Sequence, residues 1–282
     1  MRYTVNQFKA EYPDDDACLD AVFQNRFGDL EYCPKCGAKT TFYRVKKRQC
    51  YACQWCSYQL FPLADTIFRK TTTSLWNWFY AIYLFSVSKN GVSAKELERQ
   101  LGVTYKTAWR MAKQIRLLMA QEDDKFMGIV EADETYMGGR RKMTQKNDNK
   151  TPVVGIVEKR GRVKAKALDR HASDSNVMPY LLDNLEKYTI LHTDRSKIYR
   201  NATKDGFKHR TVDHGVGTYV HNGVHTNNIE GFWGNMKNSI LGTYRSISPK
   251  YLQTYVDEFC FRYNHRDGVV YPVLLERVGK RV

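Results

Sequence analysis

The sequence predicts an α/β protein in which a mixed β-sheet flanked by helices follows a small zinc ribbon and a helix-turn-helix domain. Three observations lead to this prediction. Five of the seven cysteines lie between residues 33 and 56. A segment with helical periodicity covers residues 91–119. From about residue 126, short apolar runs separated by turn residues predict strands, and helical patterns follow them.

The charge of the chain is strongly positive and unevenly distributed. Residues 1–31 carry three basic and seven acidic side chains, a net charge of −4, whereas the whole chain carries +15, so the remainder carries +19. This excess favours a polyanionic partner, because each Lys or Arg that meets a phosphate releases condensed counterions. A basic protein without such a partner is the alternative.

The composition of the N-terminus and of the most apolar stretch bears on the compartment. The first twenty residues are acidic and lack the apolar segment of a signal peptide. The stretch at 75–87 is too short to span a bilayer and predicts a buried helix. We therefore expect a cytoplasmic protein, in which clustered cysteines indicate a metal site rather than disulfides.

The cysteine cluster contains two Cys-x-x-Cys pairs, in "CPKCG" and "CYACQWC". Zinc requires four thiolates at tetrahedral positions, and each pair supplies two from one tight turn. The expected Zn²⁺ ligands are Cys33, Cys36, Cys53 and Cys56. Sixteen residues then separate the pairs, as is usual for zinc ribbons, whereas a second pair beginning at Cys50 would leave thirteen.

Residues 91–119 have the pattern of a helix-turn-helix. Ser93 is placed to cap a first helix, with Glu96 completing a capping box, and Thr104 is placed to cap a second. The apolar stripe of the second helix is Ala108, Met111, Ala112, Ile115 and Leu118. The basic residues expected to lie opposite this stripe and to contact DNA are Lys106, Arg110, Lys113 and Arg116. The alternative is an ordinary amphipathic pair, and the aromatic segment at 75–88 would supply a third helix.

The segment after residue 126 predicts a sheet with helices. The predicted strands are 126–133, 151–159, 162–169, 189–194 and 209–214, with helices at 174–188 and from about 226. With a further helix counted between the last two strands, the order of three strands, helix, strand, helix, strand, helix is that of the ribonuclease-H-like fold. Asp133 and Asp194 are then expected side by side at the ends of neighbouring strands. Close carboxylates repel unless a cation compensates them, and their hard oxygens suit Mg²⁺ or Mn²⁺.

The last predicted helix supplies a third acid. Glu230 lies beside the apolar stripe, and Lys237 and Asn227 fall on the same side. Gly231 and Gly234 each cost about 1 kcal/mol relative to alanine inside a helix, so stability does not explain them. Close approach of a DNA backbone is a reason to lack a side chain there.

Three stretches, "VEADETYMGG", "LHTDRSKIY" and the segment from "HTNNIEGFWG" to residue 266, carry a family resemblance. They resemble the DDE transposases of bacterial insertion sequences, and more narrowly the group that joins a zinc ribbon to an IS-type transposase domain. The resemblance covers nearly the whole chain. It implies an enzyme that binds the element's terminal repeats and catalyses metal-dependent DNA strand cleavage and strand transfer.

The resemblance also implies roles for individual residues. The implied catalytic residues are Asp133, Asp194, Glu230 and Lys237. The three acids would hold two Mg²⁺ (or Mn²⁺) ions about 4 Å apart. Lys237 would hold a phosphate, and Asn227 and His225 would position DNA or water. Glu131 and Glu134 are expected to support this site from outside it or to lie on the surface, and His192 is expected to be packed in its strand.

The implied partner is double-stranded DNA, both element ends and target, bound by a homodimer or higher oligomer associated with the bacterial nucleoid. The predicted segments are an acidic N-terminal segment 1–30, the zinc ribbon 31–70, the helix-turn-helix domain 71–122, the catalytic domain 123–266 and a C-terminal tail 267–282. Two alternatives stay open at this point: a nuclease of the same fold that never joins strands, and a zinc-ribbon regulator that binds DNA without catalysis.

Overall fold

The computed structural model describes residues 3–46, 48–138, 150–169, 171–212 and 225–279. The chain divides into two compact units. The first contains residues 1–88, 92–118 and 267–282, and the second contains 89–91 and 119–266. No helix within these described ranges is both long enough and apolar enough to span a membrane.

The first unit contains helices at both ends of the chain. These are α1 (Val5–Glu11), α2 (Asp15–Phe27), α3 (Leu75–Val87) and α9 (Val270–Val278). Helix α3 is apolar around most of its circumference and is buried, as expected for the aromatic segment. The segment expected as a tail therefore contains a helix, α9, which buries Tyr271, Leu274 and Val278 and packs against α2 and α3.

The predicted zinc ribbon forms a three-stranded antiparallel sheet. Its strands are β1 (Phe42–Arg44), β2 (Tyr51–Cys53) and β3 (Gln59–Leu60), in the order β1-β2-β3. One cysteine pair precedes β1, and the other begins at Cys53, the last residue of β2, so the sheet brings the pairs together.

The helix-turn-helix contains α4 (Ala94–Leu101) and α5 (Tyr105–Leu117), which pack on each other and on α3. Ser93 and Thr104 cap the two helices as expected, through side-chain oxygens that accept the N–H groups of Glu96 and Thr107. Gly102, with φ of +64°, ends α4 in a left-handed conformation. The capping box is not formed as predicted, because the Glu96 carboxylate binds Arg99 and Gln100 instead.

The second unit is built on a five-stranded mixed sheet. Its strands are β4 (Ile129–Met137), β5 (Thr151–Glu158), β6 (Val163–Ala167), β7 (Ile190–Asp194) and β8 (Lys208–Val212). They lie in the order β6-β5-β4-β7-β8, antiparallel from β6 to β4 and parallel from β4 to β8. This is the strand order of the ribonuclease-H-like fold that the sequence predicts.

Helices cover both faces of this sheet. They are α6 (Asp174–Asn184), α7 (Asn227–Ser239) and α8 (Leu252–Asn264). The helix expected between β7 and β8 is only a 3₁₀ turn at Lys197–Tyr199. The last two residues of the strand predicted at 209–214 lie outside the described ranges.

The alternation of β4 decides which side chains face which helix. Val130 and Ala132 belong to the apolar cluster that includes α6, so their neighbours in sequence point the other way. The opposite cluster contains Ile229, Phe232 and other residues of α7 and α8. Odd-numbered positions of β4, among them 131 and 133, therefore face α7.

Candidate active site and zinc site

The four cysteines that the sequence assigns to zinc come together in the ribbon. All four sulfur atoms lie within 4.8 Å of one another. The Sγ atoms of Cys33 and Cys56 are 3.6 Å apart, and those of Cys36 and Cys53 are 3.9 Å apart. Zn–S bonds of about 2.3 Å in a tetrahedron separate sulfurs by roughly 3.8 Å, so this donor set fits a structural zinc ion.

The fifth cysteine and the surroundings of Cys53 agree with that assignment. Cys50 is fully buried but is not a member of the four-sulfur group. Burial raises the pKa of the Cys53 thiol, but hydrogen bonds from the Thr40 hydroxyl and from the backbone N–H groups of Cys56 and Trp55 lower it to about 6. A thiol with a low pKa is readily available as the thiolate that binds metal.

The position of Asp133 differs from the one predicted. Strand β4 does not end at this residue but continues to Met137, and Asp133 pairs with Gly155 in the middle of the β4–β5 ladder. The parallel pairing of β4 with β7 ends at Glu131, so Asp133 lies two residues beyond the point where the strands part. Asp194 does end its strand, as expected.

The electrostatics around Asp133 indicate a cluster of acids. Burial, followed by the nearby charge of Glu134 and the charges of Asp194 and Glu230, raises the pKa of Asp133 to about 7. Within the described residues, the oxygens of these acids do not converge as closely as the four cysteine sulfurs do.

Asp133 is held by a tryptophan from α7. The indole N–H of Trp233 donates to Oδ2 of Asp133 at 3.1 Å, and the Trp233 side chain is only 3% exposed. Because Trp233 and Glu230 share α7, the helix that carries one acid also contacts another. Helical spacing predicts Trp233 as a member of the apolar stripe of α7, and nothing in the sequence signals its hydrogen bond to Asp133.

Glu131 of β4 is buried, with 1% of its surface exposed, and its side chain contacts the first turn of α7. One of its carboxylate oxygens accepts the backbone N–H groups of Asn228 and Ile229 at 2.9 and 3.1 Å. The other accepts the side-chain amide of Asn228 at 2.6 Å and lies 3.0 Å from Nδ1 of His225. Glu131 therefore caps α7 from a neighbouring strand, and the alternative of a surface group is wrong.

Glu134 faces the other side of β4. Its carboxylate accepts the hydroxyl of the fully buried Tyr199 at 2.6 Å. Burial is the main cause of the raised pKa of Glu134, and the charge of Asp194 adds to it while the Tyr199 hydrogen bond opposes it. Glu134 is therefore half-buried beside the acids and is fixed by a hydrogen bond rather than lying free on the surface.

One side of α7 is open and polar. Glu230 and Lys237 are exposed there, and Oε1 of Glu230 accepts the Thr226 hydroxyl at 2.7 Å. Gly231 and Gly234 are also exposed, and a Cβ built on either would meet no atom within 4 Å. Internal packing therefore does not require glycine at these two positions.

The two histidines are placed differently. His192 is buried in β7, as expected, and burial together with the charges of Arg210 and His225 lowers its pKa. His225 approaches the buried carboxylate of Glu131 with its Nδ1 atom.

Three of the four basic residues expected to contact DNA reach solvent on α5. Lys106 and Arg110 are exposed, and Lys113 is half-buried with its Nζ 5.8 Å from the ring centre of Trp109. Arg116 does not share this exposure. It is 3% exposed, its guanidinium lies 5.4 Å from the ring centre of Phe85, and the prediction that it faces solvent is wrong.

The burial of Arg116 has a geometric cause. At about 100° per residue, position 116 lies roughly 60° from Lys113 but only about 40° from Ala112 in the buried stripe. Its guanidinium donates to the backbone oxygen of Val92 at 3.4 Å, which satisfies part of the cation within the bundle. Arg116 therefore stabilises the helix-turn-helix instead of extending its basic surface.

Comparison with known proteins agrees with this architecture. Residues 125–264 match the family model of the ISXO2-like transposase domain, and residues 13–59 match that of the transposase zinc-ribbon domain. An uncharacterized protein in transposable element ISH50 of Halobacterium salinarum is 26% identical over 265 residues, which cover 85% of this chain and 87% of that protein.

Two solved structures are among the matches. The pre-cleavage Mos1 transpososome is 10% identical over 72% of this chain and 79% of that chain, with a TM-score of 0.29. The simian T-cell lymphotropic virus intasome in complex with PP2A regulatory subunit B56 gamma is 16% identical over 66% and 72%, with a TM-score of 0.31.

A ribonuclease-H-like sheet with these acids, preceded by a four-cysteine ribbon, defines a DDE-type transposase architecture. More narrowly, the chain belongs to the insertion-sequence transposases that join a zinc ribbon to an ISXO2-like transposase domain.

Proposed function

We propose that this transposase binds the terminal repeats of its element in double-stranded DNA and catalyses strand cleavage followed by strand transfer. The observation that carries the proposal is the electrostatic environment of Asp133. Burial and the charges of Glu134, Asp194 and Glu230 raise the pKa of this carboxyl group to about 7. Structural stability does not require several acids to share one polar edge, whereas metal-assisted phosphoryl transfer does.

The donor set fits divalent cations. Asp133, Asp194 and Glu230 offer hard carboxylate oxygens, which suit Mg²⁺ or Mn²⁺ rather than a soft metal. We assign these three side chains as the ligands of two such ions. When bound, the ions supply Lewis-acid stabilisation of the charge that develops on the scissile phosphate.

The proposed reaction has two steps of the same kind. In the first, water attacks phosphorus at the element's end, the bond to the 3′ oxygen breaks, and a 3′ hydroxyl is released. In the second, that hydroxyl attacks a phosphate of the target strand and displaces another 3′ oxygen. The first step leaves a 5′ phosphate on the flanking strand, and the second forms a new phosphodiester. Each step replaces one P–O bond by another without a change of oxidation state, so neither an oxidant nor a nucleotide cofactor is needed.

The open side of α7 supports a role in holding the DNA backbone. Lys237 is exposed two turns beyond Glu230, where its ammonium can pair with a phosphate, and Asn227 is exposed one turn before it. The two exposed glycines between these positions leave the helix surface without side chains, which permits a sugar-phosphate backbone to approach it closely.

Recognition of the ends is assigned to α5. Lys106, Arg110 and Lys113 supply its basic side chains, and Thr104 caps its N-terminal turn, which is the part of a recognition helix that enters a major groove. We expect a dimer or higher oligomer to act on the DNA, because two ends are cut and joined together. The place of action would be the cytoplasm, where nucleoid DNA lies.

The test uses the purified full chain, Mg²⁺ and a labelled duplex that carries the element's own end. We expect nicking at the end and joined products with wild type, and neither with Asp133→Asn. Glu186→Gln, the same carboxylate-to-amide change on an exposed residue before β7, whose opposite end carries Asp194, is the control and should leave cleavage unchanged.

The outcomes separate the alternatives. Nicking without joined products, when target DNA is supplied, would favour a nuclease that does not transfer strands. Tight binding to the end with no cleavage in either Mg²⁺ or Mn²⁺ would favour a regulator. Cleavage that survives Asp133→Asn would refute the assignment of the acids.

A further inference from the structure

The contact between Trp233 and Asp133 depends on a glycine in the adjacent strand. Gly155 of β5 is the register partner of Asp133. A Cβ added to Gly155 would lie 2.6 Å from Cζ2 and Cη2 of the Trp233 ring and 3.2 Å from Cδ1 of Ile229. Distances below 3.0 Å are not compatible with the present ring position. The missing side chain therefore creates the space in which the indole lies against the sheet.

The backbone of Gly155 does not itself require glycine. Its φ is not among the positive values found in the chain, and the residue sits inside a regular antiparallel ladder. Glycine in a strand interior weakens the strand, which leaves close approach of another group as its reason. Here that group is the indole of Trp233.

The indole N–H has a specific acceptor. It donates to Oδ2 of Asp133 at 3.1 Å, and the other oxygen of that carboxylate takes no part in this hydrogen bond. A ring used only to fill the core would be satisfied by any nearby oxygen. This one binds an acid at the site, and a tryptophan ring that is 3% exposed has little freedom to turn.

We propose that Trp233, seated over Gly155, is a positioning residue that orients the Asp133 carboxylate for its divalent ion. The proposal rests on the proposed function, since it takes Asp133 as a metal ligand. Partners outside the ligand shell fix ligand orientation, and their loss costs about 10- to 100-fold in metal affinity or activity. Trp233 thereby links α7 to the acid on β4.

Metal binding provides the first test. The full-length protein, with zinc in its ribbon, is titrated with Mn²⁺ in the absence of DNA, and free Mn²⁺ is followed by electron paramagnetic resonance. Trp233→Phe keeps the ring but removes the N–H, and it should weaken Mn²⁺ binding about tenfold or more. Gly155→Ala should do the same by displacing the ring.

A matched control is Trp78→Phe. Trp78 is also fully buried and donates its indole N–H, to Oγ1 of Thr71 at 2.9 Å, but it lies in the other compact unit. Its loss should leave Mn²⁺ affinity unchanged. Equal Mn²⁺ affinity in wild type and Trp233→Phe would overturn the proposal, as would an equal loss in Trp78→Phe.

A second readout needs no metal. The chain has five tryptophans, so a ¹⁵N–¹H spectrum shows five indole resonances, and Trp233→Phe identifies one of them. In metal-free Asp133→Asn that resonance should move upfield, because a neutral amide is a weaker acceptor than a carboxylate. An unchanged resonance would refute the contact. If Asp133→Asn itself binds Mn²⁺ and cleaves normally, the proposed function fails; if only Trp233→Phe behaves as wild type, this inference alone fails.

Discussion

Replacing Glu131 should destabilise the first turn of α7, and the loss should grow with the number and strength of the hydrogen bonds that each replacement removes. The carboxylate is 1% exposed and satisfies two backbone N–H groups of the first turn, those of Asn228 and Ile229. Thr226, at the N-cap position, does not cap the backbone N–H groups of that turn, because its hydroxyl donates to the Glu230 carboxylate instead. Glu131→Ala removes both acceptors, whereas Glu131→Gln keeps one carbonyl oxygen that can accept both N–H groups.

The expected magnitudes follow from these contacts. Each N–H left buried without a partner costs about 1–3 kcal/mol, so Glu131→Ala should lower the free energy of unfolding by roughly 4 kcal/mol. Glu131→Gln replaces two bonds to a charged acceptor by two to a neutral one. It also removes a negative charge from the positive end of the helix dipole. Together these changes should cost about 2 kcal/mol.

The assay combines a global and a local measurement. Urea unfolding of the full chain gives the free energies, and hydrogen exchange gives the opening of the amides of Asn228 and Ile229. The control is Glu186→Gln, the same chemical change on an exposed side chain, which should alter stability by less than about 0.5 kcal/mol. Exchange at the two amides should be fastest in Glu131→Ala, slower in Glu131→Gln and slowest in wild type.

Two results would refute this reasoning. Glu131→Gln as stable as wild type would mean that the charge contributes nothing and that shape alone holds the helix. Fast exchange throughout the second unit, rather than first at α7, would mean that Glu131 supports the sheet and not the helix end.

Three further predictions concern the metals, the glycines and pH. Cys33→Ser should lose zinc by elemental analysis while Cys50→Ser retains it, because only the former is in the four-sulfur group; zinc loss in both would contradict the ligand set. Gly234→Ala should raise the free energy of unfolding by about 0.5–1 kcal/mol, because its Cβ meets no atom, yet slow end cleavage by about 10- to 100-fold if DNA backbone packs there; unchanged cleavage would exclude that approach. Burial and neighbouring charges raise the pKa of Asp133 from its ordinary value near 3.8 to about 7, so its contribution to metal-free stability is fully present below about pH 4 and is lost as pH rises to about 7. Melting temperatures should therefore fall less steeply over that range in Asp133→Asn, and equal slopes would contradict the shift.

Much of the fold could be predicted from the sequence because local chemistry determines it. Thiolate spacing selected four cysteines, and the structure brings those four together. Alternating strand and helix patterns gave the strand order, since parallel neighbours follow from the connection through α6. The buried stripe of α5 follows directly from helical periodicity, and each of its residues is buried.

The remaining features depend on contacts between distant segments. The acids suggested that β4 ends at Asp133, but the strand continues because β5 pairs with it as far as Met137. Nothing near Glu131 in sequence marks it as a helix cap, since the helix it caps begins almost a hundred residues later. The charge of Arg116 predicts a solvent-exposed side chain. Charge alone, however, does not determine whether a residue at the edge of a buried stripe is covered by the neighbouring helix.

Strand β4 and helix α7 are joined by two side-chain contacts, and we expect these two contacts to be energetically coupled. Glu131 of β4 fixes the first turn of α7, and Trp233 of α7 fixes Asp133 of β4. Loosening the start of the helix should therefore weaken the tryptophan's hold, so the effects of Glu131→Gln and Trp233→Phe on Mn²⁺ affinity should not add. A double-mutant cycle should give a coupling of about 0.5 kcal/mol or more, as is usual for residues in one network, whereas strict additivity would show that the two contacts position the acids independently.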